Sequence, residues 1–538
     1  MKGQILSKKL QNTINRREAL RQGFAGAAGL ASTSLFATEA KSKTASKRPN
    51  VIIFHTDDQD FNTIGCYGAN ALTPHIDSLA NTGIRFDRGY TTTGVCTASR
   101  YALITGQYPG RCRTGSFLKT FPKNVPTEVH FNTAIVDGQH NIASVMQKAG
   151  YATGFVGKAG ALGGVDGSRM KKYNTTGAWN YSENDIDPKD PEITAILSHN
   201  HDVKREGIKT RGFDYAEAIT TNPENFRSRN LNYHNPEWIT DRALTFIEDS
   251  SDKPFFLYMN HTLHHIPHPQ ESLLYGDPLM THEGYLDEVP DCMPSRQEIY
   301  DRVVSEGYPP ETAYMTWLDE SLGALLKKLG ELKLTDDTMI IFFSDNNVPA
   351  KGTNYEDGAR VPCIIKYPAC VAGAQESSRL VINIDFAPTI FDACGITPPD
   401  DMHIDGKNLM PMLTGEKEKI HDEVFLEIGW TRCVVTERWK YLALRWPESA
   451  MELKERKKAL PGFKFIYHSR ALEPHQHNAL LWHPAFFSQD QLYDMSNDPH
   501  ETSNLSEMPK HAVVLNDMKD RMKNWLNTFD NPFGEFTD

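Results

Sequence analysis

The chain has 538 residues, a net charge of −12, 39% apolar residues and 10% aromatics; that length exceeds one ordinary core and predicts two domains. An acidic body excludes a general nucleic-acid-binding surface, so an anionic substrate must be met by a local cluster of Lys, Arg, His or metal. The eight cysteines (Cys66, Cys96, Cys112, Cys292, Cys363, Cys370, Cys394 and Cys433) show neither zinc-site nor disulfide-scaffold spacing, and buried thiols are expected.

Residues 1–40 are basic, with six Lys/Arg against Glu18 and Glu39. Asn15-Arg16-Arg17-Glu18-Ala19-Leu20 resembles a twin-arginine export motif. The Gly/Ala-rich stretch from Phe24 to Phe36 is too short and too weakly apolar to span a bilayer. The reading is a signal peptide over 1–40, taken by the twin-arginine translocation machinery, and a linker over 41–49. The mature protein is then exported, periplasmic or extracellular, and not a membrane protein.

Three apolar runs follow, each ending in polar residues. Val51-Ile52-Ile53-Phe54 leads into His55-Thr56-Asp57-Asp58, Phe255–Met259 into a His-rich segment, and Met339–Phe343 into Ser344-Asp345-Asn346. Such runs suit strands buried on both faces, and open α/β sheets bind ligands beyond the carboxyl ends of their strands. Three strands therefore deliver polar residues to one rim. Helices are predicted over Thr73–Thr82, Ala143–Lys148 and Ala313–Leu329, the last with Met315, Leu318, Leu322, Leu325 and Leu326 on one face. Alternating strands and helices make the class α/β. Val165–Arg229 and Gln270–Pro310 read as polar and irregular, either pocket walls or surface elaboration. Beyond Gly415 come short antiparallel strands over Glu423–Glu427, Arg432–Thr436, Trp439–Leu444 and Gln491–Asp494, then a helix over Val513–Leu526. The predicted domains are 50–415, with the catalytic rim, and a smaller α+β domain over 416–538.

Asp57, Asp58, Asp345 and Asn346 are oxygen ligands from two strand ends. They suit a hard cation, Ca²⁺ before Mg²⁺, and not zinc; for any single Asp the alternative is a turn or helix cap. Cys96 precedes a helix, whose dipole favours an anion at its start, and Arg100 lies one turn on, on the same face.

Cys96-Thr97-Ala98-Ser99-Arg100, continuing through Leu103-Ile104-Thr105-Gly106-Gln107-Tyr108-Pro109, resembles the signature of the formylglycine-dependent sulfatases, Cys-x-Pro/Ala-Ser-Arg and then Leu-x-Thr-Gly-x-Tyr-Pro. Three more segments resemble that family: Gly150-Tyr151-Ala152-Thr153 through Gly157-Lys158, His265-Ile266-Pro267, and Lys351 through Tyr355-Glu356-Asp357-Gly358-Ala359-Arg360-Val361-Pro362. The closing Leu492-Tyr493-Asp494, Asp498-Pro499, Glu501 and Asn504-Leu505 resemble its C-terminal motif. The resemblance implies an alkaline-phosphatase-like large domain, with a central mixed, mostly parallel sheet flanked by helices, and a small domain with an antiparallel sheet. It further implies that a maturation enzyme oxidises Cys96 to formylglycine, whose hydrate attacks a sulfate ester, and that Asp57, Asp58, Asp345 and Asn346 hold Ca²⁺. By the same resemblance Arg100 holds the formylglycine and the metal-bound carboxylates, Lys158 binds sulfate, Lys351 binds the bridging oxygen, and His265 protonates the leaving group. Neighbouring His261, His264 and His268 leave that last register open, and Arg360 reads as a structural ion-pair residue.

One departure stands out. The family continues Lys-Trp-His-Leu-Gly, whereas this chain has Lys158-Ala159-Gly160-Ala161-Leu162. The base for the second half of the cycle is then missing. Asp166, His199 and His201 are the available substitutes, and Gly160→His is expected to restore it. The implied function is hydrolysis of a sulfate ester, a carbohydrate one by family analogy. The alternatives are a phosphoester or phosphonate hydrolase of the same superfamily, or a catalytically weak binding protein for sulfated glycans.

Overall fold

The computed structural model describes residues 48–162, 187, 189–220, 232–371, 373–445, 465–466, 470–471 and 479–534. The expected signal peptide, most of the linker, and Asp166 lie outside them. Residues 47–538 form one compact unit. No helix among the described residues is long and apolar enough to cross a membrane.

Among the described residues, nine strands form one mixed sheet. They are β1 (Asn50–Thr56), β2 (Ile84–Tyr90), β3 (Ala152–Lys158), β4 (Tyr215–Thr220), β5 (Phe255–Asn260), β6 (Thr338–Ser344), β7 (Arg360–Lys366), β8 (Gln375–Ser377) and β9 (Val381–Ile382). The order is β8-β2-β7-β6-β1-β5-β3-β4, with β9 also on β2. All neighbours are parallel except β7, which runs antiparallel to β2 and β6. The apolar runs form strands because both faces are covered. Val51 and Ile53 point into one core and Ile52 and Phe54 into the other; Met339, Ile341 and Phe343 alternate with Ile340 and Phe342 in the same way. The central order β6-β1-β5-β3 puts the three polar strand ends, and the end of β3, side by side on one edge.

Helix α1 (Pro74–Asn81), α2 (Cys96–Thr105), α3 (Ile142–Lys148) and α6 (Ala313–Glu331) cover the sheet. Their apolar residues divide between the two cores: Tyr101 and Met146 on one side, Leu79, Leu318 and Leu322 on the other. The two stretches read as irregular contain regular elements. Helix α4 (Pro191–Lys209) and edge strand β4 occupy part of the first, and helix α5 (Arg296–Ser305) lies in the second. Helix α4 escapes a hydropathy reading because its buried side is only Leu197, His201 and Ile208, a thin stripe broken by a polar residue.

A second, antiparallel sheet has the order β10 (Glu423–Ile428), β11 (Thr431–Thr436), β12 (Trp439–Leu444) and β13 (Asp490–Asp494). Helix α7 (Ala512–Leu526) packs on it through Met518 and Met522. This core also takes in Tyr90, Ala102, Tyr108 and Tyr355 from the α/β part.

Gly157 shows how tightly the strand ends are set. Its φ is +95°, and a Cβ there would fall 1.7 Å from the carbonyl oxygen of Asn260 on β5. Gly157→Ala should therefore lose at least about 2 kcal/mol of stability, from a forbidden backbone conformation and a backbone clash. Thermal unfolding measures this; an unchanged melting temperature contradicts the close β3–β5 approach.

Candidate active site

The rim is built on three adjacent strand ends. Strand β1 ends at Thr56, and Asp57 and Asp58 follow; β6 ends at Ser344, before Asp345 and Asn346. Asp57, Asp345 and Asn346 are fully buried, Asp58 almost so. The backbone N–H of Asp58 donates to Asp345 Oδ1 at 3.1 Å, and the amide of Asn346 donates to Asp58 Oδ1 at 2.6 Å. Asp58 adopts φ +55°, uncommon for a non-glycine residue, which is held because so many partners fix it.

Helix α2 brings Cys96 to this rim. Its first turn is tied down from behind: the Thr91 hydroxyl donates to Ser99 Oγ at 2.6 Å, and the Asn383 amide donates to the Ser99 carbonyl at 3.1 Å. Arg100, one turn after Cys96, then reaches Asp345 Oδ2 through Nε at 3.0 Å and Nη2 at 2.9 Å, Asp57 Oδ2 at 3.6 Å, and the Asn260 side-chain oxygen at 2.6 Å. Lys158, the last residue of β3, ion-pairs with Asp57 Oδ2. Lys351, on the loop after β6, donates to both oxygens of Asp58 at 2.6 and 2.8 Å. That loop lies against the Cys96 approach, since Gly352 N–H donates to the Gly94 carbonyl at 2.8 Å.

The four histidines after β5 go separate ways. His265 Nε2 lies 3.7 Å from Asp58 Oδ2, and its Nδ1–H donates to the Ile266 carbonyl at 2.9 Å, which orients the ring. His264 instead meets Tyr314 edge to face at 4.9 Å, His261 reaches Ser321 Oγ at 2.9 Å, and His268 caps the following helix. His234, which the sequence reading missed, contacts the carbonyl of His265 at 2.8 Å and Thr262 Oγ1 at 2.7 Å. Asn260 was also missed, although its place at the end of an apolar strand is the same signal that marks Asp345.

Burial raises all three carboxyls; the cations decide the outcome. Lys158, His265 and Arg100 outweigh burial at Asp57 and hold it far below the usual carboxylate range. Lys351 and His265 do the same for Asp58. Asp345 stays up at about 7, from burial and the neighbouring Asp57 charge, against the pull of Arg100. Burial also lowers His265, as do Lys351 and Lys158, but Asp58 and Asp57 reverse this and its pKa is raised. At Cys96, burial pushes the thiol up, and Lys158 and Lys351 pull the other way without reversing it. A thiolate nucleophile needs the opposite shift.

The donor set fits a hard divalent cation. Asp57 Oδ1 and Asn346 Oδ1 are buried with no hydrogen-bond partner, and the Asn346 side-chain amide lies against the Asp58 carboxylate. The acidic oxygens of Asp57 and Asp58 and a His265 nitrogen lie within 4.8 Å of one another.

Gly160 opens a short turn, Gly160–Leu162, that packs on α2. Its φ is +49°, and a Cβ there would meet Arg100 Cδ at 2.7 Å. A side chain at this position therefore displaces Arg100, contrary to the restoration expected from sequence. Of the substitute bases, His201 is committed elsewhere: its Nε2 accepts from Ile219 N–H at 2.9 Å, and Arg205 lies 3.2 Å from Nδ1. His199, on the same helix, is half-buried. Arg360 pairs with Glu356 at 3.4 Å and stacks over Phe61.

A family model described as Sulfatase matches residues 49–396, and one described as N-sulphoglucosamine sulphohydrolase, C-terminal, matches 350–480. The chain is 25% identical to an N-acetylgalactosamine-6-O-sulfatase of Bacteroides thetaiotaomicron, over 89% of this chain and 93% of that protein. It is 24% identical to the N-sulphoglucosamine sulphohydrolase of Homo sapiens, over 88% and 89%. Among solved structures, one in complex with its substrate D-glucosamine-2-N,6-O-disulfate has a TM-score of 0.56 at 18% identity, covering 90% of this chain and 98% of that one. A phosphonate monoester hydrolase of Agrobacterium radiobacter has a TM-score of 0.55 at 17% identity, covering 89% and 95%. These structures share the fold. With one family model running from β1 past β9 across the whole catalytic rim, the chain belongs to the sulfatase family of the alkaline-phosphatase-like superfamily and is a sulfuric ester hydrolase.

Proposed function

We propose that this enzyme releases inorganic sulfate from a sulfated carbohydrate after a maturation enzyme has oxidised Cys96 to formylglycine. The observation that carries this is the gathering of Cys96, Lys158, Lys351, Arg100 and His265 around three buried carboxylates on one sheet edge. The carbohydrate rests on the relatives, which are named for N-acetylgalactosamine-6-sulfate, N-sulphoglucosamine and ulvan. Residues 1–40 would direct export through the twin-arginine machinery, to the periplasm or beyond. Residues 50–415 would form the catalytic domain and 416–538 the smaller one.

Asp57, Asp58, Asp345 and Asn346 would hold Ca²⁺, which supplies positive charge for sulfate oxygens and for the reacting hydroxyl. The hydrated aldehyde supplies an oxygen nucleophile that a buried thiol does not. The chain's own groups do the rest. In the described arrangement Lys158 and Lys351 neutralise Asp57 and Asp58. With a divalent cation on those carboxylates, both ammoniums would be available to an anionic sulfate, Lys351 to the bridging oxygen. Arg100 keeps Asp57 and Asp345 in place and closes the floor behind residue 96. His265 has Nδ1–H tied to a carbonyl, which turns Nε2 toward the carboxylate pocket, where it would carry a proton to the departing alcohol.

Protein made with a maturation enzyme that accepts Ala98 should release sulfate from a panel of defined sulfated sugars. Its Cys96 peptide should lose the thiol and gain an aldehyde by mass spectrometry. Full activity with an intact thiol, or faster hydrolysis of an aryl phosphate than of the matching aryl sulfate, overturns the reading. Binding of a sulfated glycan without any sulfate release would favour the glycan-binding alternative.

Chelation should abolish turnover and Ca²⁺ should restore it, while Lys351→Ala should cut kcat by about 10²–10³, the scale for losing one donor to developing charge. Undiminished turnover of Asp345→Ala refutes the cation assignment.

Gly160→His should lower kcat by about tenfold or more, because displacing Arg100 misplaces the groups it holds. Faster turnover in that variant would mean that the turn yields and the histidine is accommodated.

A further inference from the structure

Lys440 has no exposed surface, yet it sits on β12, in the antiparallel sheet and far along the chain from the rim residues. Its Nζ lies 2.9 Å from Glu356 Oε1 and 2.8 Å from Glu501 Oε1. The other Glu501 oxygen, Oε2, accepts from the backbone N–H of Glu356 at 2.7 Å. Tyr90, on β2, donates its hydroxyl to Glu356 at 3.1 Å. The preceding residue, Tyr355, stacks on His483 at 3.6 Å and donates to Gln491 Oε1 at 2.8 Å. The dipeptide 355–356 is thus gripped by the second sheet, by the segment after β13 and by β2.

Glu356 closes the loop that carries Lys351. Two backbone bonds cross that loop, Asn347 N–H to the Gly358 carbonyl at 3.1 Å and Ala350 N–H to the Asp357 carbonyl at 2.9 Å. One end of the loop is Asp345 and Asn346 at the rim; the other is Glu356 and Arg360. Gly358 is pressed into this crossing, since a Cβ there would meet the Ala350 carbonyl oxygen at 2.4 Å. A shift of Glu356 is therefore passed to Ala350 and Lys351 and not absorbed between them.

A buried ion cluster is a poor source of stability, because desolvation offsets most of the attraction and well-packed apolar residues would serve as well. What it does supply is one orientation, since Lys440 bridges the two carboxylates and the second Glu501 oxygen takes the Glu356 N–H. We propose that Lys440 and Glu501 are positioning residues for catalysis, which set the place of the Lys351 ammonium through Glu356. The inference rests on the role given to Lys351 above.

The test uses the full-length matured enzyme and Glu501→Gln, which keeps the Lys440–Glu356 pair. Two readouts are followed: binding of inorganic sulfate by calorimetry, and the dependence of kcat/KM on leaving-group acidity across aryl sulfates. Glu501→Gln should weaken sulfate binding and lower kcat/KM for the poorest leaving groups, each by about tenfold, the scale for a misplaced catalytic group. The best leaving groups should change least. In a Lys351→Ala background the same substitution should change either readout by less than about twofold, since residues acting as a unit are non-additive. Glu423→Gln, which loses a pair with Arg521 elsewhere on that sheet, should leave both unchanged. Full multiplication of the effects in the double variant, a uniform loss across leaving groups, or an equal loss in Glu423→Gln each overturns the proposal. If Glu501→Gln does not fold, Glu501→Asp, which keeps the charge but draws it back from the Glu356 N–H, is read the same way. Sulfate binding needs no turnover, so an enzyme that cleaves no sulfate ester defeats the functional reading while the binding measurements still decide this one.

Discussion

Three carboxylates, Asp57, Asp58 and Asp345, share one buried pocket at the ends of two adjacent parallel strands, and the rest of the rim follows from keeping them there. Two like charges about 4 Å apart cost about 4 kcal/mol at an effective dielectric near 20, and burial adds to it. The chain meets this with cations drawn from three other elements: Arg100 from α2, Lys158 from β3 and Lys351 from the loop after β6. Each is nearly or wholly buried, so removing either partner of a pair leaves an uncompensated charge, at about 3–5 kcal/mol. The requirement explains why the motif residues stand where they do. Arg100 must be one turn after Cys96 to reach the carboxylates while Cys96 faces the same pocket. Ser99, between them in sequence, anchors the turn to Thr91 and Asn383. Gly157 must lack a side chain, because β3 has to approach β5 closely enough to bring Lys158 onto Asp57.

How much of this could be read from the sequence depends on the range of the interactions. The buried strands declare themselves because burial on both faces demands continuous apolar residues, and their adjacency follows from parallel packing. Asp57, Asp58, Asp345 and Asn346 are legible because two buried strands each end in a pair of oxygen-bearing side chains, whereas a turn or cap accounts for only one of them at a time. Helix α6 is legible from a broad apolar stripe, and α4 is not, because its buried side is too thin and includes a histidine. The contacts of Lys440, Glu356 and Glu501 leave no local trace: they join segments 84 and 145 positions apart. His234 is equally silent. It acts on His265 through a backbone carbonyl, 31 residues away in sequence. The register among the four histidines after β5 has the same character, since it is set by which ring finds Asp58, Tyr314 or Ser321 and not by spacing.

The exchange of histidine for glycine at position 160 links these points. Viewed along the sequence, it is a departure from the pattern the chain otherwise resembles, which implies a proton acceptor at that place. In the folded chain it is also a steric permission: the stem of Arg100 lies where a side chain at 160 would begin. The two properties cannot be separated by restoring the residue, because the backbone there has a positive φ and the turn through Leu162 is packed on α2. The neighbours of Gly160 are the small residues Ala159 and Ala161, and Arg100 is fixed on its far side by Asn260 Oδ1 at 2.6 Å. Under the mechanism proposed above, whatever removes the second proton would have to approach without displacing Arg100. It would then share the carboxylate pocket with Lys158, Lys351 and His265, which pair with Asp57 and Asp58 there and would also hold the substrate.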